Sequence, residues 1–204
     1  PGMRQKAVVS MSIERDLREA LNKQQFRLFY QPIVNLEENK ITGFEALIRW
    51  EHPLHGMVSP AQFIPIAEQT GMINHIGRWV IDESMQQLKV WQDTYPEISM
   101  RMNVSAKQLK DVNLLQSIEA ALLINDLAPQ TISFEITETS VLEFDNATIA
   151  VLNNIKALGV RLSLDDFGTG FSSLSVLHMY PINTLKIDQT FIREILNDNN
   201  KIAI

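Results

Sequence analysis

From Ser59 onward, strand-like runs alternate with helical stretches, and that alternation restricts the chain to a sheet built largely from parallel βα units. Helices are predicted at Ser59 to Gln69 and Ile73 to Gln92, then a strand at Ile98 to Val104, a helical region from Ala106 to Ile124 and a strand at Thr131 to Ile136. Asp145 to Leu158 reads as a helix stopped by Gly159, followed by a strand at Val160 to Leu164. A loop with Gly168 and Gly170, a short helix near Ser172 to His178, a strand at Thr184 to Ile187 and a helix at Gln189 to Asn197 complete the series. The beginning differs. A helix from Ser12, its N-cap, to about Lys23 leads into strands Phe26 to Val34 and Lys40 to Trp50, which the short turn Glu37 to Asn39 makes antiparallel neighbours.

Each strand has one apolar and one polar face. In GFEALIRW, Phe44, Ala46, Ile48 and Trp50 point one way and Glu45, Leu47 and Arg49 the other. Met102 and Val104 oppose Arg101, Asn103 and Ser105; Phe134 and Ile136 oppose Glu135 and Thr137; Leu164 opposes Asp165; Leu185 and Ile187 oppose Lys186 and Asp188. Glu45, Asn103, Glu135, Asp165, Asp166 and Asp188 thus gather at or near strand ends, a pattern that describes a pocket. Carboxylates about 4 Å apart repel by roughly 4 kcal/mol at an effective dielectric of 20, so a bound cation is the economical partner. Local ion pairing of each acid is the competing reading, and repetition over five strands weighs against it. The donors are hard oxygens without cysteine, which favours magnesium, manganese or calcium over zinc.

An open doubly wound sheet binds ligands near its switch point, whereas a (β/α) barrel collects residues from many strand ends at one mouth. Polar residues from five strands fit the barrel, although only six strands are counted where eight are needed. The 204 residues, 45% hydrophobic and 21% charged, suffice for one sizeable core. A net charge of −6 offers no general attraction for DNA, RNA or an anionic membrane, so a phosphate ligand must be held locally. The absence of cysteine is compatible with a reducing cytoplasm, and no apolar run approaches membrane-spanning length. His52, His55, His75 and His178 show no ligand spacing and read as surface or packing residues.

With these motifs placed, the chain closely resembles the EAL domain family of bacterial cyclic di-GMP phosphodiesterases. The likeness runs through YQPIV (Tyr30 to Val34), EALIRW (Glu45 to Trp50), SPAQFIPIAEQTG (Ser59 to Gly71), NVSAKQL (Asn103 to Leu109), FEITET (Phe134 to Thr139), DDFGTGF (Asp165 to Phe171) and LKIDQTFI (Leu185 to Ile192). It implies a TIM-like α/β barrel with an antiparallel first strand. It also implies that Glu45, Asn103, Glu135 and Asp165 hold one divalent cation, Mg2+ or Mn2+, and that Asp165 and Asp166 serve a second. Lys186 matches a lysine placed near the attacking water, Glu138 an acid that steadies the loop after the DDFGTG strand, and Gln31, Leu47 and Arg49 positions lining the substrate site. The implied reaction is in-line attack of a metal-activated water on one phosphodiester of cyclic di-GMP, giving pGpG.

Family members continue past the helix after the KID motif into two more βα units, which carry a further glutamate and a glutamine. This sequence ends at Ile204, so residues 12–204 are expected to be a C-terminally incomplete phosphodiesterase domain. Residues 1–11 resemble a linker or the tail of an upstream GGDEF or sensory domain, with Pro1 and Gly2 preceding Met3. The resemblance also implies a cytoplasmic domain, in a parent protein that membrane anchoring would not contradict, and a homodimer formed around the DDFGTG loop. A receptor that binds cyclic di-GMP without cleaving it is the alternative of a different class. Lys186 as a mere neutraliser of the acidic mouth and Arg49 as a structural ion-pair partner are the plainer readings of those residues.

Overall fold

The structure, a computed structural model, describes residues 13–141, 144–168 and 180–190. Residues 1–11, the predicted helix at Ser172 to His178 and most of the one at Gln189 to Asn197 lie outside them.

Helix α1 spans residues 13–20 and buries Ile13, Leu17 and Ala20, which share one face at helical spacing. Strands β1 (Phe26–Asn35) and β2 (Lys40–His52) pair antiparallel, with Phe26 opposite Trp50 and Gln31 opposite Glu45. Their turn is made by Asn35, whose Oδ1 accepts the backbone N–H groups of Glu37 and Glu38, and by Asn39 at φ 52°. A strand not foreseen, β3 (Gly56–Val58), folds back antiparallel onto the end of β2. Three residues are too few for alternation to show. The buried His52 organises this hairpin: Nδ1 accepts N–H bonds from Leu54 at 3.1 Å and His55 at 3.3 Å. In the neutral ring Nε2 therefore carries the proton and donates to Asp16 of α1 at 3.2 Å.

Strands β4 (Ser99–Asn103), β5 (Ile132–Thr137), β6 (Arg161–Phe167) and β7 (Thr184–Ile187) add in parallel, giving the sheet order β1-β2-β4-β5-β6-β7 with β3 beside β2. Parallel strands added always on the same side generate a barrel wall. A doubly wound sheet would reverse direction at a switch point, and no reversal occurs among the described residues. Between the strands lie α2 (Pro60–Thr70), α3 (Met72–Gln92), a 3₁₀ turn at Gln108–Lys110, α4 (Leu114–Ile124), α5 (Glu138–Val141) and α6 (Asn146–Ala157). The helical region expected over Ala106 to Ile124 is split because Asp111 turns extended at ψ 118° and its Oδ1 accepts the Asn113 N–H. Strand β6 runs three residues beyond Leu164 and so includes both Asp165 and Asp166. At the end of α6, Gly159 takes φ 93°, the left-handed stop its position predicted.

The apolar strand faces meet the helices. Met100, Met102, Ile132, Phe134, Ile136, Leu162 and Leu164 are buried together with Met85, Leu88, Ile118, Leu152 and Ile155. Toward β1 the core becomes aromatic: Phe26 lies 5.9 Å from Trp50 and 5.7 Å from Phe63 between ring centroids, and Trp50 Nε1 donates to Gln25 Oε1 at 3.0 Å. With this face committed to packing, the other face of each strand, and its carboxylates, is left to the barrel interior.

Candidate active site

Four parallel registers carry the polar faces to one place. Glu45 aligns with Arg101, Asn103 with Glu135, Thr137 with Asp165, and Ser163 with Thr184 two residues before Lys186. Glu45, Glu135 and Asp165 each offer a carboxylate oxygen within 4.8 Å of the others. Lys186 Nζ stands among them, donating to Glu135 Oε2 at 2.5 Å, Asp165 Oδ2 at 3.0 Å and Glu45 Oε2 at 3.1 Å. Asn103 Nδ2 donates to Glu45 Oε1 at 2.9 Å, and its Oδ1 accepts no hydrogen bond among the described residues. Beneath the cluster, the buried hydroxyls of Ser133 and Ser163 bond each other at 2.9 Å.

The electrostatics are unbalanced toward negative charge. Burial is the largest influence on Glu135 and holds its carboxyl above the ordinary range; Lys186 opposes this, and Glu45 and Asp165 reinforce it. Burial also acts against the Lys186 ammonium, but Glu135, Asp165 and Glu45 outweigh it and raise the lysine above its usual value. One ammonium thus stands against three carboxylates. Glu135 Oε1 is buried without a hydrogen bond among the described residues, and the Arg101 guanidinium lies 3.6 Å from it. Hard oxygen donors, excess negative charge and an orphaned carboxylate oxygen together fit a divalent cation held by Glu45, Glu135 and Asp165.

Asp166 stands apart from that three-carboxylate group. It adopts φ 55°, and its N–H bonds the Asp165 Oδ1 at 2.9 Å, so the two neighbouring acids do not follow strand alternation. Burial, followed by Asp165 and Asp188, raises the Asp166 carboxyl, as expected of acids crowded without enough positive charge. Asp188 accepts from Thr190 N at 2.8 Å and Thr190 Oγ1 at 2.5 Å, a cap on the following turn. Glu138 is buried, and its Oε2 accepts the Gly168 N–H at 2.8 Å, tying the start of α5 to the end of β6. The loop beyond Gly168, where pairing of two domains was expected, lies outside the described residues.

Gln31 is exposed directly across the ladder from Glu45. Leu47 and Arg49 line a cavity of about 320 Å³ that reaches Asn103 and is floored by Ile64, Ile73 and Val80, with Glu68 and Gln108 also in its wall. The Arg49 guanidinium lies 5.6 Å from the Phe29 ring centroid and donates to the Ile48 carbonyl at 2.8 Å. No acidic partner of Arg49 is found among the described residues. Arg101 is the residue that sequence reasoning passed over. Alternation places it on the face of Asn103, and that position was the available signal.

Comparison with known proteins bears on this arrangement. The EAL domain family profile matches residues 14–204. The chain is 41% identical over 203 residues, 99% of its length, to the bifunctional diguanylate cyclase/cyclic di-GMP phosphodiesterase MucR of Pseudomonas aeruginosa, of which it covers 30%. To the cyclic di-GMP phosphodiesterase PdeR of Escherichia coli it is 35% identical over 195 residues, 96% of the chain and 29% of that protein. The chain therefore spans less than a third of the length of these relatives. A solved structure of the MucR phosphodiesterase in complex with c-di-GMP superposes with a TM-score of 0.86 at 41% identity, covering 94% of this chain and 78% of the other. No helix among the described residues is long and apolar enough to cross a membrane.

Proposed function

Since the chain belongs to the EAL domain family, we propose that it carries the hydrolytic site for cyclic di-GMP and opens the ring to linear pGpG. The observation that carries this reading is the convergence of Glu45, Asn103, Glu135 and Asp165 around Lys186, from five separate strands. A protein that only bound the nucleotide would have no chemical use for so complete a set of hard donors.

Glu45, Asn103, Glu135 and Asp165 would hold one divalent cation, and Asp165 and Asp166 a second; when bound, these would supply positive charge that acidifies water and neutralises phosphodiester oxygens. The chain's own groups do the placing. A 5′-phosphate product requires water oxygen to form the new bond to phosphorus while the P–O3′ bond breaks; the water loses a proton and the departing 3′ oxygen gains one. Lys186, kept charged by its three carboxylates, adds a positive charge at this point that favours the anionic phosphate and an attacking oxygen that is losing its proton. Glu138 fixes the backbone that immediately follows Asp165 and Asp166 through the Gly168 N–H. Arg49 faces the cavity with N–H groups for a phosphate or guanine edge, Leu47 gives an apolar wall, and Gln31 stands beside Glu45. A volume of about 320 Å³ admits a purine.

Incubation with cyclic di-GMP and Mg2+ or Mn2+, with pGpG followed by chromatography, tests the proposal. Product should form, stop when EDTA is added, and be absent for Glu45→Gln. Tight binding of cyclic di-GMP with no product over a long incubation would make the domain a receptor.

A further inference from the structure

Asn103 ends β4, and the loop after it is held by a device that none of the matched ligand positions includes. Ser105 and Gln108 bond reciprocally: Gln108 Oε1 accepts the Ser105 N–H at 3.0 Å, and the Gln108 N–H reaches Ser105 Oγ at 3.4 Å. This is the capping-box arrangement S-x-x-Q, here turned to closing the strand-to-helix corner. Gln108 is 6% exposed, so its amide has been taken out of water to make the contact. The space comes from α3. A Cβ on Gly77 would lie 1.8 Å from Gln108 Nε2 and 2.8 Å from its Cδ, so only glycine at that position lets the amide in. On the other side, Val104 N–H bonds the Glu135 carbonyl at 2.9 Å. The backbone of Asn103 is therefore clamped between β5 and a glutamine wedged against α3.

We propose that Gln108, seated on Gly77, is a positioning residue for the metal site, fixing the direction from which Asn103 presents its amide to Glu45 and the cation. The inference rests on the phosphodiesterase reading, because it needs Asn103 as a ligand. Groups that orient ligands typically contribute 10- to 100-fold in metal affinity. Gln108→Ala in the intact chain should weaken Mn2+ binding, measured by calorimetry, by about 10-fold or more. Excess Mn2+ should restore kcat while the KM for cyclic di-GMP stays near wild type, a signature that general loosening of the fold would not give.

Gly77→Ala should show the same weakening, since it displaces the same amide, yet should add nothing in the Gln108→Ala background. Gln108→Met, which keeps the length and removes the amide, carries the same expectation if the alanine variant does not fold. Wild-type Mn2+ affinity in the folded Gln108 variants, or a Gly77→Ala effect of equal size with and without Gln108, overturns the inference alone. Failure of the unsubstituted chain to bind Mn2+ overturns it together with the phosphodiesterase reading.

Discussion

Replacing Lys186 by Met removes the one ammonium in contact with Glu45, Glu135 and Asp165 and leaves three carboxylates within 4.8 Å. At an effective dielectric of 20, each pair at that separation repels by about 3.5 kcal/mol, so three charged groups would cost on the order of 10 kcal/mol. A cheaper route exists. Taking one proton from solution at pH 7 onto a carboxyl whose ordinary value is 4.5 costs about 3.4 kcal/mol, at about 1.36 kcal/mol per pH unit. The cheaper route sets the scale, and the buried Glu135, already biased toward its protonated form, is the group to take the proton. The sign follows from linkage: a carboxyl with a raised folded-state pKa binds a proton that the unfolded chain releases above about 4.5, so stability falls as pH rises through that window. Lys186→Met in EDTA should therefore lose about 3 kcal/mol at pH 7 and about 1.4 kcal/mol at pH 5.5 from the proton alone, with up to about 3.5 kcal/mol more at both pH values from the pair of carboxylates that stays charged. Millimolar Mg2+ should return much of the loss without returning turnover. Urea unfolding at the two pH values, with and without metal, measures all of this. A metal-free variant as stable as wild type at pH 7 would refute the reasoning, because the lysine would not be the charge that holds the acids together.

Two further outcomes are expected. Tyr30, half-buried beside Trp91 and facing the charge of Glu83, has its phenol pushed up to about 12, with burial the larger cause. Ultraviolet titration of wild type and Tyr30→Phe should coincide up to pH 11, and stability should begin to fall above pH 10, where the unfolded chain ionises and the folded one resists; a Tyr30 signal near 10 would contradict this. Asp145 caps α6 by accepting from Thr148 N at 2.8 Å and Thr148 Oγ1 at 2.7 Å, and these bonds hold its carboxyl below the ordinary range. Asp145→Ala should lower the melting temperature at pH 7, and the difference from wild type should shrink as pH falls below about 3.8, since the bonded carboxylate contributes only above that range; an unchanged difference at pH 3 would rule the cap out as the cause.

Much of the fold was legible because its elements have long periods and clear stops. Twenty-one residues of α3 and the alternating faces of β2 and β5 leave little ambiguity, and Gly159 marks the end of α6 through a backbone angle that glycine adopts freely. Strand β3 was not legible, since three residues hold no period and its pairing depends on His52 closing a turn. The break at Asp111 was hidden for a related reason: one side-chain bond to Asn113 overrides an otherwise helical stretch.

Alternation alone assigned Glu45, Asn103, Glu135, Asp165 and Lys186 to the faces turned away from the helices, because a strand that packs one side must offer the other. What it could not fix was distance. Lys186 lies 141 positions from Glu45 and 51 from Glu135, and only the parallel addition of strands in one direction brings its ammonium into contact with both. The unpaired Glu135 oxygen, the left-handed turn at Asp166 and the fit of Gln108 against Gly77 belong to the same class. Each depends on how neighbouring elements close around a side chain, a property that packing determines and local pattern does not carry.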